Sequence, residues 1–527
     1  MHQMSELQKA RLKFQPIVPQ ILEEVTAVNC VSSTQVMLLP QIEALFPLLA
    51  QKKGLTVQNI ASTPTEPLIV GIVLSGGQAS GGHNVIAGVF DALKQFHPES
   101  RLIGFLNGPS GIVKGQTKEI TQELLASYRN QGGFDIIGSG RTKIETMEQF
   151  IASLAIAQKF DLDGLVVVGG DDSNTNAALL AEYFLANSCK TKVIGVPKTI
   201  DGDLQNASIE MSFGFDTACK TYSEIIGNIC RDALSAKKYY YFIKLMGRSA
   251  SHITLECALA IQPNMALIGE EIAEQKKSLV EVVSSIADLI IERKKAGKEY
   301  GVILIPEGIV EFIEDCRVLI SELNRLLAQG ASVDALSPTI RATFEMLPNE
   351  IQSQLLLDRD PHGNVQVSKI ETEKLFIALV TQELHNRNTA VKFAAQPIFC
   401  GYEGRSCLPS NFDCTYCYAL GTLAAILIAR GHTGYIASLT GLNKPPQEWK
   451  PAPVLLPTMM HLEERDGKQK PVIAKALVNL QGKSFSLFAK LRNEWRLNDQ
   501  YLQPGPIQFW GPQEIVERLS TTIALGR

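Results

Sequence analysis

Leu68-Ile-Val-Gly-Ile-Val-Leu-Ser-Gly-Gly-Gln-Ala-Ser-Gly-Gly82 is the stretch from which the fold class follows. Residues 68–74 form an unbroken apolar run, the pattern of a strand buried on both faces. Residues 75–82 are small and glycine-rich, and an amphipathic segment from Asn84 to about Phe96 comes next. The order is strand, glycine loop, helix. The unit returns with a strand at Arg101–Leu106. A third strand, Gly164-Leu-Val-Val-Val168, runs into Gly169-Gly-Asp-Asp-Ser-Asn174 and a helix to Leu185. A fourth, Lys192-Val-Ile-Gly-Val196, runs into Pro197-Lys-Thr-Ile-Asp-Gly-Asp203. Strands alternating with helices predict a mainly parallel sheet covered on both faces, with ligands beyond the carboxyl ends of the strands.

A second α/β series has strands at Tyr240–Leu245 and Gly301–Ile305, ending in Met246-Gly-Arg248 and Pro306-Glu-Gly308. The expected organisation is a helical N-terminal extension (1–66), an α/β domain (67–212) and a second α/β domain (213–317). A helical insertion (318–395) and a return to the core with a C-terminal segment (396–527) complete it. A length of 527 residues suits two or three domains. The net charge of −4 gives no pull towards nucleic acid or anionic membrane, so phosphorylated substrates need a local cationic cluster. The N-terminus lacks a signal-peptide core, and the strongest apolar stretch, around Leu423–Ala429, is short of the ~20 residues that span a bilayer. Both point to the cytoplasm. Ten cysteines in this length do not make a disulfide framework. Cys400, Cys407, Cys414 and Cys417 read as structural thiols, because their outer spacings fit no common zinc pattern. His83 and His252 read as structural too.

Three loops carry candidate chemistry. Gly76, Gly77, Gly81 and Gly82 let backbone N–H groups approach phosphate oxygens, with a helix N-terminus behind them; the same loop could be a plain turn. Asp171 and Asp172 are adjacent acids at a strand end, suited to Mg²⁺, which takes one or two carboxylates plus phosphate oxygens and water. The bland alternative is a helix N-cap by Asp172 or Ser173. In 197–203, a carboxylate can take the proton of an attacking hydroxyl while the lysine steadies a transferring phosphoryl group. There, Asp-Gly-Asp could equally be a turn.

Ser-Gly-Gly, Gly-Gly-Asp-Asp-Ser, Pro-Lys-Thr-Ile-Asp-Gly-Asp, Met-Gly-Arg, Pro-Glu-Gly and Gly-Tyr-Glu-Gly-Arg stand in this order between about Leu68 and Tyr435. Together they resemble the phosphofructokinase family, specifically its pyrophosphate-dependent long form. The resemblance implies two Rossmann-like domains with the active site in the cleft between them, and reversible phosphoryl transfer from pyrophosphate to fructose 6-phosphate. It implies Asp201 as general base, with Lys198 and Asp172 in the catalytic set. Gly76, Gly77 and Arg141 would meet pyrophosphate, and Asp171, with Asp203 as a further ligand, would hold Mg²⁺. Thr199, Ile200, Met246, Gly247, Arg248, Glu307, Tyr402, Glu403, Gly404 and Arg405 would bind the sugar phosphate. Lys238 and Tyr239 would reach the neighbouring subunit's site, which implies a homodimer.

The donor follows from two positions. ATP-using relatives carry glycine where this chain has Asp172 and Lys198. An aspartate against the α-phosphate of ATP, at ~4 Å and an effective dielectric near 20, costs about 4 kcal/mol, or roughly a thousandfold in binding. An ATP-dependent phosphofructokinase and a catalytically silent regulatory subunit of the same fold are the competing expectations.

Overall fold

The computed structural model describes residues 4–63, 66–357, 365–465, 468–507 and 519–526. The chain forms two compact units, one of Met1–Ala218, Gly404–Ala476 and Ile507–Arg527, the other of Cys219–Glu403 and Leu477–Pro506.

The first unit begins with β1 (Val28–Gln35) and β2 (Lys53–Asn59), which pair antiparallel. The expectation of a helical extension is corrected here. Helices in this stretch are short, such as Glu6–Arg11 and Pro40–Leu45. The run Val28-Asn-Cys-Val-Ser-Ser-Thr-Gln35 is rich in β-branched residues and buries Val28 and Cys30 on one face, so it pairs as a strand. The Arg430 guanidinium secures it by donating to Val28 O and Thr26 O, both at 2.7 Å.

Next come β3 (Ile69–Leu74), β4 (Arg101–Phe105), β5 (Thr117–Ile120), β6 (Gly164–Gly169) and β7 (Lys192–Pro197). In the second unit, β8 (Tyr240–Leu245), β9 (Met265–Ala266), β10 (Gly301–Pro306) and β11 (Ala395–Cys400) form a parallel sheet in the order β11-β8-β10-β9. The chain then returns to the first unit with β12 (Tyr435–Ile436), β13 (Leu439–Thr440), β14 (Lys450–Pro451) and β15 (Val454–Leu455). The hairpin of β16 (Met460–Arg465) and β17 (Lys468–Ile473) follows.

The large sheet runs β15-β12-β7-β6-β3-β4-β5, with the neighbours from β12 to β4 parallel. From β3 the chain moves to β4 and β5 on one side, then crosses to β6 and β7 on the other. The reversal of strand order therefore falls between β3 and β6, the position where such sheets bind ligands.

On one face of this sheet Val73, Phe105 and Val167 pack with Ala177, Ala181 and Phe184 of the helix Asp171–Ala186. Elsewhere in the unit the helices Gly82–Phe96 and Asn411–Ala429 touch along their length, and a Cβ at Gly88 would overlap Tyr418 O. Glycine is required there by this close approach. Asn411–Ala429 is long and apolar enough to cross a membrane, with a mean hydropathy of 1.5, but 89% of that window is buried inside the protein. It is a core helix.

In the second unit, the helices Glu314–Ala328, Pro338–Met346, Asn349–Leu357 and Thr372–Asn386 follow β10. Leu319, Leu323, Phe376 and Val380 share one core with Tyr240, Phe242 and Ile303 of the sheet. Lys244 on β8 ties the two together, donating to Ile370 O at 3.1 Å beside the Glu373 carboxylate at 3.4 Å.

Candidate active site

Three loops of the first unit leave the carboxyl ends of β3, β6 and β7, and the backbone binds them to one another. Ser75 N donates to Val168 O (2.8 Å) and Lys198 N to Gly169 O (3.0 Å). Ser173 Oγ donates to Ser75 Oγ (2.8 Å). The Asn174 amide donates to Gly169 O and Gly170 O. These bonds fix how each loop presents its side chains.

Gly76 has φ +86°, a conformation that favours glycine. Its N–H donates to Gly140 O (2.9 Å), so what this residue offers is room. A Cβ there would stand 3.1 Å from Lys198 Nζ. At Gly77 a Cβ would stand 2.7 Å from Arg405 Nη1 and 3.8 Å from Arg141 Nη2. The glycine loop, Lys198, Arg405 and Arg141 thus converge, although more than 320 residues separate Gly77 from Arg405.

Lys198 is buried, and burial pushes its ammonium down to about 8. The neighbouring Arg405 charge works in the same direction, while Asp201, Asp171 and Asp203 oppose it. Asp203 is buried as well, and burial raises its acid to about 7, reinforced by the Asp201 and Asp171 carboxylates. Asp201 N donates to Thr199 Oγ1 (3.1 Å), but the buried Asp201 Oδ1 has no hydrogen-bond partner in the protein. Ile200, between them, is core. The cluster can offer a proton acceptor, a cation and metal-binding oxygens within one loop system.

Asp171 and Asp172 open the helix Asp171–Ala186, whose N-cap is Gly170. The alternative in which Asp172 or Ser173 caps the helix is therefore corrected. The two acids lie in the first turn, at the positive end of the dipole. Asp172 pairs with Lys143 at 3.2 Å and its side chain is 46% exposed. Asp171 Oδ2 lies 3.8 Å from Lys475 Nζ. Lys475 was not foreseen, since it belongs to no motif. Lys143 stands two residues from Arg141 without any signal of its partner.

In the second unit, Met246, Gly247 and Arg248 follow β8 and Glu307 follows β10. Glu307 N donates to Leu245 O (2.9 Å), and its carboxylate accepts from Gly247 N (3.1 Å). Arg248 is exposed there. Tyr402 is 71% exposed, and Glu403 accepts from Gly401 N (2.9 Å). The unit boundary falls inside this motif, leaving Gly404 and Arg405 in the first unit. Lys238 and Tyr239 precede β8, with the Lys238 ammonium 5.0 Å over the Tyr239 ring.

His83 is buried, and burial pushes its ring down to about 4; it packs edge-on against Tyr128. Cys400, Cys414 and Cys417 are buried thiols and Cys407 a partly covered one. Among the described residues no three His, Cys, Asp or Glu side chains form a metal cage.

A doubly wound sheet that gathers cations, acids and glycine backbone at its carboxyl edge defines the class of phosphate-handling α/β proteins. Comparison narrows the class. The Phosphofructokinase family profile matches residues 69–428. The pyrophosphate–fructose 6-phosphate 1-phosphotransferase of Treponema pallidum (strain Nichols) is 50% identical, over 99% of this chain and 97% of its own. The beta subunit of the potato (Solanum tuberosum) enzyme of that name is 54% identical over 87% and 82%. Among solved structures, a pyrophosphate-dependent phosphofructokinase from Nitrosospira multiformis matches with a TM-score of 0.56 at 15% identity, covering 86% of this chain and 96% of its own. The chain belongs to the phosphofructokinase family.

Proposed function

We propose that this chain transfers a phosphoryl group reversibly between pyrophosphate and fructose 6-phosphate, giving fructose 1,6-bisphosphate and phosphate, a step of glycolysis and gluconeogenesis. The observation that carries the reading is the buried Asp201 Oδ1 without a partner, in the same loop as the buried Lys198. A buried acceptor left unsatisfied costs stability, and a substrate hydroxyl supplies the missing donor. Asp201 takes the proton of the sugar 1-hydroxyl as that oxygen attacks the distal phosphorus. Lys198, the glycine loop and Arg141 balance the charge spread over the transferring group. Thr199 and Ile200 hold the loop in register. Met246, Gly247, Arg248, Glu307, Tyr402, Glu403, Gly404 and Arg405 take the sugar phosphate, the guanidinium forking onto its oxygens.

The acid set fits a divalent metal. Asp171 and Asp203 offer hard oxygens, and the Asp203 acid, weakened first by burial and then by the Asp201 and Asp171 carboxylates, stands in a cluster that a cation would relieve. Asp171, with Asp203, would hold Mg²⁺, which supplies positive charge to the donor's phosphate oxygens.

For the donor, Asp172 disfavours a third phosphate, but less than its sequence position alone suggests. Its exposure and the Lys143 partner bring the repulsion towards the ~1 kcal/mol typical of a pair in water. Asp172→Gly therefore raises kcat/KM for ATP about fivefold rather than a thousandfold, as measured by coupled assay. The same assay on the unaltered protein tests the whole reading. Turnover with pyrophosphate and little with ATP is expected; equal rates with both, or activity only after adding a second kind of subunit, would overturn it.

The working assembly in this reading is a cytoplasmic homodimer. Lys238 and Met246 stand at opposite ends of β8, about 26 Å apart along an extended strand. If both serve one sugar, Lys238 comes from another copy. Mixing Lys238→Ala with Asp201→Asn chains, each nearly inactive, should then restore about a quarter of the activity through hybrid dimers. No recovery after subunit exchange would refute the shared site.

A further inference from the structure

We propose that Lys475 is a positioning residue of this site: its ammonium stands in for the divalent cation beside Asp171 and Asp203, and leaves when that cation binds. The inference rests on the metal assignment above, not on the identity of the phosphoryl donor.

Lys475 lies beyond residue 428, where the family match ends. The backbone on both sides of it is pinned. Ala474 N donates to Met459 O (3.1 Å), and Ala476 N donates to Asp203 O (2.7 Å). The second bond attaches this strand exit to the loop that carries the acids. From there the side chain, 32% exposed, brings Nζ to 3.8 Å from Asp171 Oδ2, and its charge also acts on Asp203. Two acids beside a third, Asp201, repel one another when no counter-charge is present.

A lysine suits a replaceable counter-charge. It is a point charge on a flexible four-carbon stem, without the fixed fork of arginine. The contact with Asp171 is loose and reachable by solvent, so that pair's own attraction is small. A divalent cation carries twice the charge and repels the ammonium from the same oxygens. Lys475 therefore offsets the repulsion among these carboxylates in the free enzyme, and sets the metal concentration at which the site is loaded.

The test uses purified full-length protein with neither sugar nor donor present. Unfolding midpoints are followed against Mg²⁺ concentration, and Mn²⁺ binding is measured by calorimetry. Lys475→Met should melt lower than the unaltered protein without metal at neutral pH. It should bind Mn²⁺ about tenfold tighter, because no ammonium has to be displaced. Lys475→Arg should behave like the unaltered protein, and Asp171→Asn should abolish the metal response. If Lys475→Met folds poorly, Lys475→Gln takes its place. Superimposable metal titrations, or weaker Mn²⁺ binding in the neutral variants, would overturn the proposal. A preference for ATP in turnover assays would defeat the donor reading and leave this result untouched.

Discussion

Asp201→Asn lowers kcat about a thousandfold, within the range that a positioned general base contributes, while KM for fructose 6-phosphate changes by less than about threefold. Asparagine keeps the shape of the loop and the backbone bond to Thr199 Oγ1, so the loss reports proton transfer. The substitution also removes one of the carboxylates that raise Asp203. In the free variant the loss of stability on raising the pH through the Asp203 titration, where Lys198 stays protonated, should therefore be smaller. Steady-state kinetics with pyrophosphate and a thermal melt check both halves. A kcat within tenfold of the unaltered value would move the base to another residue, Asp203 being the nearest by sequence.

Lys198→Met produces an opposite pair of effects. Activity falls by about 10²–10³, the range for losing one fixed charge at a reacting group. Stability rises, and the sign follows from linkage. Burial pushes the Lys198 ammonium down to about 8 in the folded protein, from an ordinary 10.5. Below pH 8 both folded and unfolded states carry the proton, and the full cost of burying the charge is present. Between 8 and 10.5 the unfolded state binds more protons, so stability climbs with pH. Methionine removes the cost, so the variant is more stable at pH 7 and the advantage fades towards pH 10. The same group places an alkaline limb near pH 8 in kcat/KM of the unaltered enzyme. Arg405→Gln should move that limb upward, since the Arg405 charge is one cause of the lowered value. Denaturant melts at pH 7 and 10 and a pH–rate profile read these outcomes.

A site whose central lysine and acid are each held against their preferred charge states trades stability for chemistry. Both groups lie in a heptapeptide that was legible as chemically loaded from its composition. What could not be read there was which of its members would be buried. Lys198, Ile200 and Asp203 are, while Thr199 and Asp201 are only partly covered; a parallel bridge joins Lys198 to Phe213, 15 positions on, and Ser212 Oγ donates to Thr199 O. The Asp172 argument shows the same limit. The charge was visible, but its partner Lys143 stands 29 positions away with no motif to announce it. The N-terminal hairpin was missed for a related reason. A short strand pair with one polar face looks like an amphipathic stretch until its partner is known.

The sequence by itself determined the alternation of buried strands and helices, hence a parallel sheet with its loops at one edge, and the order of motifs that assigns the family. Local periodicity and loop chemistry suffice for that, since each is written in neighbouring residues. The tertiary structure alone decided which distant charges meet: Arg405 against Gly77, Lys143 against Asp172, and Lys475 against Asp171. Electrostatic interaction depends on distance in space and on exclusion of water. Neither is a function of separation along the chain, so these pairings became visible only once the strands had brought their loops together.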